Sequence, residues 1–281
     1  MTEAAHPSLQ DRVVLITGGA RGIGREMALA LLKAGARVAV TATRSPEDLA
    51  AIDAEAAQLA GPGRLIALRA DVTSRDDCAE VVARTLSAFG AIHALVNNAG
   101  RGMRELSPVF NTAAPCFWEV DAEGWQRIIQ INLVGAFFMA HAAAPHMVAQ
   151  GFGRIVNVST SPQTMVRKGY SPYGPSKAGL EAATSVWAKD LEGTGVTCNV
   201  ILPGGATDTK FIPGSGPDRR GADGMLLPAD ILNPVILWLL SDAANGVTAH
   251  RFIGRLWDAS LPADEAAAKA RQPQVALPTI L

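Results

Sequence analysis

Tyr173 and Lys177 stand four residues apart in Ser171-Pro172-Tyr173-Gly174-Pro175-Ser176-Lys177. On a helix, that spacing puts both side chains on one face. Ser171 suits the N-cap and Pro172 the first helical position, so a helix is expected to open here. A free phenol ionises at about 10, too high to act as a base at neutral pH. A neighbouring ammonium lowers that value. A phenol tuned in this way can exchange a proton with an alcohol or carbonyl oxygen. The spacing alone is common and also describes a solvated surface pair, so its weight comes from the residues that precede it.

A run of hydroxyls, Ser159-Thr160-Ser161, follows Asn157-Val158 at the end of a β-branched stretch. Hydroxyls there could hydrogen-bond a substrate oxygen and stabilise charge that develops on it. Asn132 lies within apolar Gln130-Ile131-Asn132-Leu133-Val134. A polar side chain in such a helix needs a local partner. A satisfied core amide is the other reading of it.

Nearer the start stands Thr17-Gly18-Gly19-Ala20-Arg21-Gly22-Ile23-Gly24, between a candidate strand and a candidate helix. Glycines at 18, 22 and 24 free the backbone to turn sharply. They let its N–H groups meet a pyrophosphate at a helix N-terminus. Placement between strand and helix is what raises this turn above an ordinary Gly-rich loop. A dinucleotide follows, and the next strand end bears on which one. NAD-binding folds place an acidic residue there for the ribose 2′-hydroxyl. Here the segment is Thr41-Ala42-Thr43-Arg44, without an acid. Arg21 and Arg44, with Thr43 between strand and loop, could meet a 2′-phosphate. NADP(H) is therefore expected over NAD(H). A solvated Arg44, or an Arg21 paired with a backbone carbonyl, is the alternative. Asp71-Val72 offers an acceptor for an adenine amino group. Asn97-Asn98-Ala99-Gly100 offers amides, then small residues that let a flat ring approach.

These positions need a scaffold, and the sequence shows one. Apolar runs recur at Val13–Ile16, Arg37–Val40, Leu65–Leu68, Ala94–Val96, Arg154–Val158 and Val196–Ile201. Each is nearly continuous in apolar character, as strands buried on both faces of a parallel sheet are. Helical patterns separate them: Ile23, Met27, Leu31 and Leu32, then Ala50–Leu59, then Cys78–Phe89. The alternation predicts an α/β Rossmann-type doubly wound parallel sheet with helices on both faces, in a single domain over 1–281. Two long connections interrupt it, 101–120 and 204–227, and such loops often bind substrate. The tail from Ala263 reads as a short helix, then an arm on a neighbouring subunit or a frayed end.

A net charge of −1 gives no basic stripe and so no nucleic-acid partner. Cys78, Cys116 and Cys198 share no metal-like spacing and make no disulfide framework. No secretory signal opens the chain, and Val134–Pro145 is too short to span a bilayer. A cytoplasmic protein, with no membrane partner and no metal, is expected.

Taken in order, these motifs resemble the short-chain dehydrogenase/reductase family, in its branch of about 250 residues. The resemblance runs from Thr17-Gly18-x-x-x-Gly22-Ile23-Gly24 through Asp71, Asn97-Asn98-Ala99-Gly100, Asn132 and the hydroxyls to Tyr173-x-x-x-Lys177 and Pro203-Gly204. It implies hydride transfer between NADP(H) and a ketone or secondary alcohol, with Tyr173 as general acid/base. It implies that Lys177 binds the nicotinamide ribose and lowers the Tyr173 pKa, and that Asn132 maintains a water-linked relay. Pro203, Gly204 and Thr207 would line the nicotinamide end, and the protein would be a homo-oligomer, a tetramer or dimer, with the helices after Glu123 and Tyr173 at its interfaces. Two departures stand out. The family's serine thirteen residues before the tyrosine is Thr160 here, with Ser161 beside it, and both stay candidates. The Asp-Gly-Gly-like turn that often closes the last strand is replaced by Arg251-Phe252-Ile253-Gly254-Arg255-Leu256-Trp257-Asp258. Phe110, Phe117, Trp118, Phe211 and Met225 on the long connections suggest an apolar, ring-bearing substrate. A non-catalytic dinucleotide-binding sensor or scaffold is the competing function, since one fold hosts many.

Overall fold

The computed structural model describes residues 9–110, 112–212, 214, 219–221 and 224–273. Its seven strands are β1 (Val13–Ile16), β2 (Arg37–Ala42), β3 (Leu65–Arg69), β4 (Ala94–Asn97), β5 (Gly153–Val158), β6 (Val196–Leu202) and β7 (Arg251–Ile253). They form one sheet in the order β3-β2-β1-β4-β5-β6-β7. Every pairing is parallel. The chain order reverses between β1 and β4, and ligands bind outside the carboxyl ends of strands at such a point.

Helices cover both faces. In β1, Val14 and Ile16 pack into one apolar layer and Leu15 into the other. The first layer is closed by α1 (Gly22–Lys33), α2 (Pro46–Ala60), α8 (Asn233–Leu239) and α9 (Ala263–Ala270). The second is closed by α3 (Arg75–Phe89), α5 (Gly135–Ala149) and α7 (Tyr173–Asp190). A strand with apolar side chains on both faces is what the continuous runs required. The expected doubly wound sheet is found, with six strands within two residues of the runs. Local chemistry sets the ends of α3: the Ser74 hydroxyl accepts from the Asp77 N–H, and Gly90 closes the helix at φ 80°.

The expected short helix of the C-terminal segment is α9. The expected arm or frayed end falls on residues 274–281, which lie outside the described residues. Arg271 bridges Phe252 in antiparallel sense, and the Gln272 N–H donates to the Arg251 carbonyl. The segment covers the β7 edge, which removes an exposed strand edge.

The apolar stretch near Val134 differs from expectation. α4 (Ala122–Ile129), a π-helical turn (Gln130–Val134) and α5 make one helical run of 28 residues, long and apolar enough to cross a membrane by length and composition. The short stretch seen in the sequence is therefore the middle of a longer helix. Its packing on α3, α7, β4 and β5 makes it a crossover of the sheet.

Candidate active site

A continuous cleft of about 1930 Å³ runs along the carboxyl ends of the strands, from Arg44 to Arg167. At its centre, the loop after β1 turns through Gly18 at φ 64°. A Cβ on Gly24 would lie 2.5 Å from both the Asn98 amide nitrogen and the Gly18 carbonyl oxygen, so only glycine fits. The Asn98 side chain donates to the carbonyls of Thr17 (3.0 Å) and Gly18 (3.1 Å), and the Thr17 hydroxyl accepts from the N–H groups of Asn98 and Ala99. Asn98 thus braces the glycine loop while lining the cleft beside Ala99 and Gly100. α1 starts at Arg21 with no side-chain cap and no acidic residue in its first turn. Its uncapped amides and positive dipole end suit the pyrophosphate of a dinucleotide. Gly22, Ile23, Ala99 and Gly100 line the same stretch.

Thr43, Arg44, Asp71 and Val72 line the far end. The Thr43 hydroxyl donates to the Ala70 carbonyl (3.0 Å), which fixes the turn after β2. One Asp71 oxygen accepts from the Thr73 N–H (2.9 Å) and hydroxyl (2.7 Å). Arg21 lies 3.9 Å from the Asp48 carboxylate, so the partner of this half-exposed guanidinium is an acid and not a backbone carbonyl. Arg44 is exposed at the rim. The chain thus holds an uncapped helix terminus, a glycine cradle and an acid-free β2 end, all of which fit a dinucleotide.

Tyr173 and Lys177 occupy the other end on one face of α7, Tyr173 half-buried and Lys177 buried. The Lys177 ammonium donates to the Val158 carbonyl (2.7 Å), so β5 fixes its position. Burial brings Lys177 down to about 8, against an upward pull from Glu181. Burial pushes Tyr173 up to about 12; a hydrogen bond with the Thr160 side chain opposes this, and Tyr170 adds to it. The expected lowering of the phenol called on the Lys177 ammonium and the positive charge of an oxidised nicotinamide together. In the chain by itself, desolvation outweighs every opposing influence.

Thr160 and Ser161 both line the cleft and differ in their partners. Ser161 caps α6 (Pro162–Met165): its hydroxyl accepts from the Thr164 N–H (3.2 Å) and shares a hydrogen bond with the Thr164 hydroxyl (2.9 Å). Thr160 faces Tyr173. Ser159 also borders the cleft, and its buried hydroxyl has no partner. Asn132 sits in the π-helical turn, where its side chain accepts from the Arg101 N–H (2.8 Å) and donates to the Arg101 carbonyl (2.9 Å) and the Ser176 hydroxyl (3.0 Å). This is the local partner its polarity demanded. Its oxygen and the Lys177 ammonium both flank Gly100.

Ser171 does not cap α7. Its hydroxyl accepts from the Trp125 indole (3.0 Å), the Ser171–Pro172 peptide is cis, and the helix opens at Tyr173 after Pro172. The side chain is already engaged across the groove by α4 and is not turned toward the α7 amides.

One functional neighbour escaped the sequence reading. Arg251, at the start of β7, donates to the Thr160 carbonyl (2.7 Å) and to the Glu181 carboxylate (3.1 Å). It holds the Thr160 backbone from behind, and it touches the same carboxylate that acts on Lys177. The segment lacking the Asp-Gly-Gly-like turn supplied a signal, since an arginine opens a strand that is otherwise apolar.

Both long connections reach the site. The Phe211 ring lies 5.6 Å from that of Tyr173. It also packs over Gly102, where a Cβ would sit 2.1 Å from the ring. Phe110 is buried edge-on against Tyr170, at 5.7 Å. Phe117 and Trp118 instead pack on each other and are 69% and 71% exposed, and neither they nor Met225 line the cleft. Only two of the five aromatic or apolar candidates thus face the reacting end. Pro203, Gly204 and Thr207, which follow β6, also line the cleft. Part of the 204–227 connection (213, 215–218, 222 and 223), and residue 111 of the other, lie outside the described residues.

The family model for short chain dehydrogenases matches residues 12–219. The chain belongs to the short-chain dehydrogenase/reductase family. It is 34% identical over 252 residues to a short-chain type dehydrogenase/reductase of Picea abies, covering 86% of this chain and 90% of that one. It is 32% identical over 218 residues to an NADPH-dependent aldehyde reductase-like protein, chloroplastic, of Arabidopsis thaliana, covering 75% and 78%. The crystal structure of a short-chain type dehydrogenase/reductase from Mycobacterium marinum superposes with a TM-score of 0.74 at 28% identity, over 88% of this chain and 94% of that one.

As a short-chain dehydrogenase/reductase, the protein is an NAD(P)-dependent oxidoreductase acting on alcohol and carbonyl groups. Its departures from the family pattern fall where the fold allows them. Thr160 keeps a hydroxyl facing Tyr173. The altered C-terminal segment still forms a parallel edge strand, through the pairs Val200–Arg251 to Leu202–Ile253.

Proposed function

We propose that the protein interconverts a ketone and its secondary alcohol with NADP(H), using Tyr173 as general acid/base. The observation that carries this reading is the cleft that Tyr173 and Thr160 line together, with the half-buried Tyr173 one helical turn from the buried Lys177 ammonium. Bound NADPH supplies the hydride, and the chain's own groups hold the substrate oxygen. Tyr173 is protonated in the free chain and so stands ready to donate a proton to a carbonyl oxygen as charge builds on it. Thr160 donates a second hydrogen bond to that oxygen. Lys177, fixed by Val158, holds a ribose hydroxyl and replaces the proton on Tyr173, and Asn132, whose oxygen flanks Gly100 together with the Lys177 ammonium, anchors a relaying water.

The preference for NADP(H) rests on Arg21, Thr43 and Arg44 around a β2 end that lacks an acid. A relative named as an NADPH-dependent reductase supports it. We further propose a cytoplasmic homo-oligomer, a tetramer or dimer. Three free cysteines suit a reducing compartment. Exposed Phe137 and Val186 on α5 and α7 suit subunit contacts, which light scattering tests.

Tyr173→Phe tests the assignment. Turnover should fall by about two to four orders of magnitude, the range for a general acid, with NADPH affinity kept. Retained turnover would overturn it. If the unaltered protein bound NADPH tightly yet turned over nothing in a broad carbonyl and alcohol panel, the non-catalytic sensor would replace the enzyme reading.

A further inference from the structure

We propose that the substrate is a carbonyl compound with an acidic group, a carboxylate or phosphate, and that Arg167 holds this group opposite Arg104 and Lys210. This rests on the reductase reading above and adds the substrate's chemical class. The substrate end of the cleft is lined by six cationic side chains from the loops, Arg101, Arg104, Arg167, Lys210, Arg219 and Arg220. The described carboxylates lining that end are Glu105 and Asp208, and both are taken. Glu105 accepts from Arg127 at 3.1 Å and lies 3.7 Å from Arg101. Asp208 pairs with Arg219. Among the described residues, Arg104, Arg167 and Lys210 form no ion pair. The positive excess is local, because the whole chain carries a net charge of −1.

These cations are arranged around an apolar path from the reacting end. The Arg167 guanidinium lies 5.1 Å over the ring of Tyr170. Tyr170 packs on buried Phe110, and the Phe211 ring packs on Tyr173. Arg104 donates to the Lys210 carbonyl at 2.6 Å, which joins the two long connections where both residues line the cleft. A molecule with its carbonyl at Tyr173 and Thr160, and its body along Tyr170, Phe110 and Phe211, reaches Arg167 with its far end. A guanidinium stacked on an aromatic ring keeps its N–H fork free for a carboxylate or phosphate. Low-dielectric walls around a local excess of one sign also raise the local concentration of an oppositely charged ligand.

The test uses oxo carboxylates of increasing chain length, their methyl esters, and oxo-alkyl phosphates of the same lengths. With NADPH and the full chain, kcat/KM should favour at least one acid over its neutral ester by tenfold or more. Arg167→Ala should reduce that ratio at least fivefold, mainly through KM, and Arg167→Lys should restore part of it. The better of the two acid arms identifies the group. Calorimetric titration of the NADP+ complex with the hydroxy acids and esters reads the preference without turnover. Acid-selective binding without turnover would overturn the reductase reading and leave the anion site standing. Esters matching acids at every length, no acid binding at all, or an equal loss for both in Arg167→Ala would each overturn the anion site.

Discussion

The chain has two tyrosines, Tyr170 and Tyr173, so one substitution isolates the proposed acid/base. In Tyr170→Phe, the only phenol left is Tyr173, and its ionisation is read directly from the ultraviolet phenolate band. Burial pushes Tyr173 from 10.0 up to about 12 in the free chain. At about 1.4 kcal/mol per tenfold change, that is roughly 3 kcal/mol against the phenolate. Tyr170 contributes to the rise, so its removal lowers the value a little and leaves burial in control. Folded Tyr170→Phe without cofactor should therefore show no phenolate step below about pH 11. The cationic ring of bound NADP+ should move the step downward, since a nearby positive charge favours the anion. A step between pH 7 and 8 in the folded, cofactor-free protein, absent from Tyr170→Phe/Tyr173→Phe, would refute the reasoning. It would mean that Lys177 outweighs desolvation before the cofactor arrives.

The same shifts enter stability with opposite signs. Lys177 is lowered to about 8 from 10.5, so over that window the unfolded chain binds more protons and stability rises with pH. Tyr173 is raised, so its contribution is present below 10.0 and is lost as pH climbs toward about 12. Denaturant midpoints measured against pH should therefore show a Lys177-dependent rise above pH 8, removed in Lys177→Met.

Thr160→Val removes the donor facing Tyr173 and should lower kcat about 10²–10³-fold, the range for one oxyanion donor. Thr160→Ser should recover most of that, and Ser161→Ala should cost only a helix cap, about 0.5–2 kcal/mol locally; a larger kcat loss in Ser161→Ala than in Thr160→Val would reverse the assignment. Arg251→Met removes hydrogen bonds to the Thr160 carbonyl and the Glu181 carboxylate. Stability should fall by about 1–3 kcal/mol, with kcat reduced more than KM is raised and Arg251→Lys partly restoring kcat; an unchanged kcat would show that β7 does not position Thr160. Arg44→Asp should weaken NADPH at least about tenfold more than NADH in fluorescence titrations, whereas equal weakening would remove the 2′-phosphate argument.

Much of the frame was legible because its signals are local. A strand buried on both faces must be apolar throughout, so Val13–Ile16 and Val196–Leu202 declare themselves. Only glycine fits against Asn98 at position 24, so the loop after β1 declares itself too. β7 did not, because three residues at a sheet edge carry too little pattern and one of them is an arginine. Two Ser-Pro pairs show where local rules stop. Ser161-Pro162 and Ser171-Pro172 look alike as cap and first helical residue, yet only Ser161 caps a helix. Ser171 gives its hydroxyl to Trp125, forty-six residues earlier, and no feature of the pair itself announces that partner. The choice between Thr160 and Ser161 turned on the same point. Ser161, followed by Pro162 and then Thr164, already had the makings of a cap, and a hydroxyl spent on a helix terminus is not free for a substrate. Thr160 then faces the cleft by default, with its carbonyl held by Arg251 from ninety-one residues away. The site is thus readable where chemistry is fixed by neighbours in sequence. Where orientation comes from a distant strand, only the folded chain supplies it, so Arg251 substitutions should act on turnover through Thr160 while Ser161 substitutions should not.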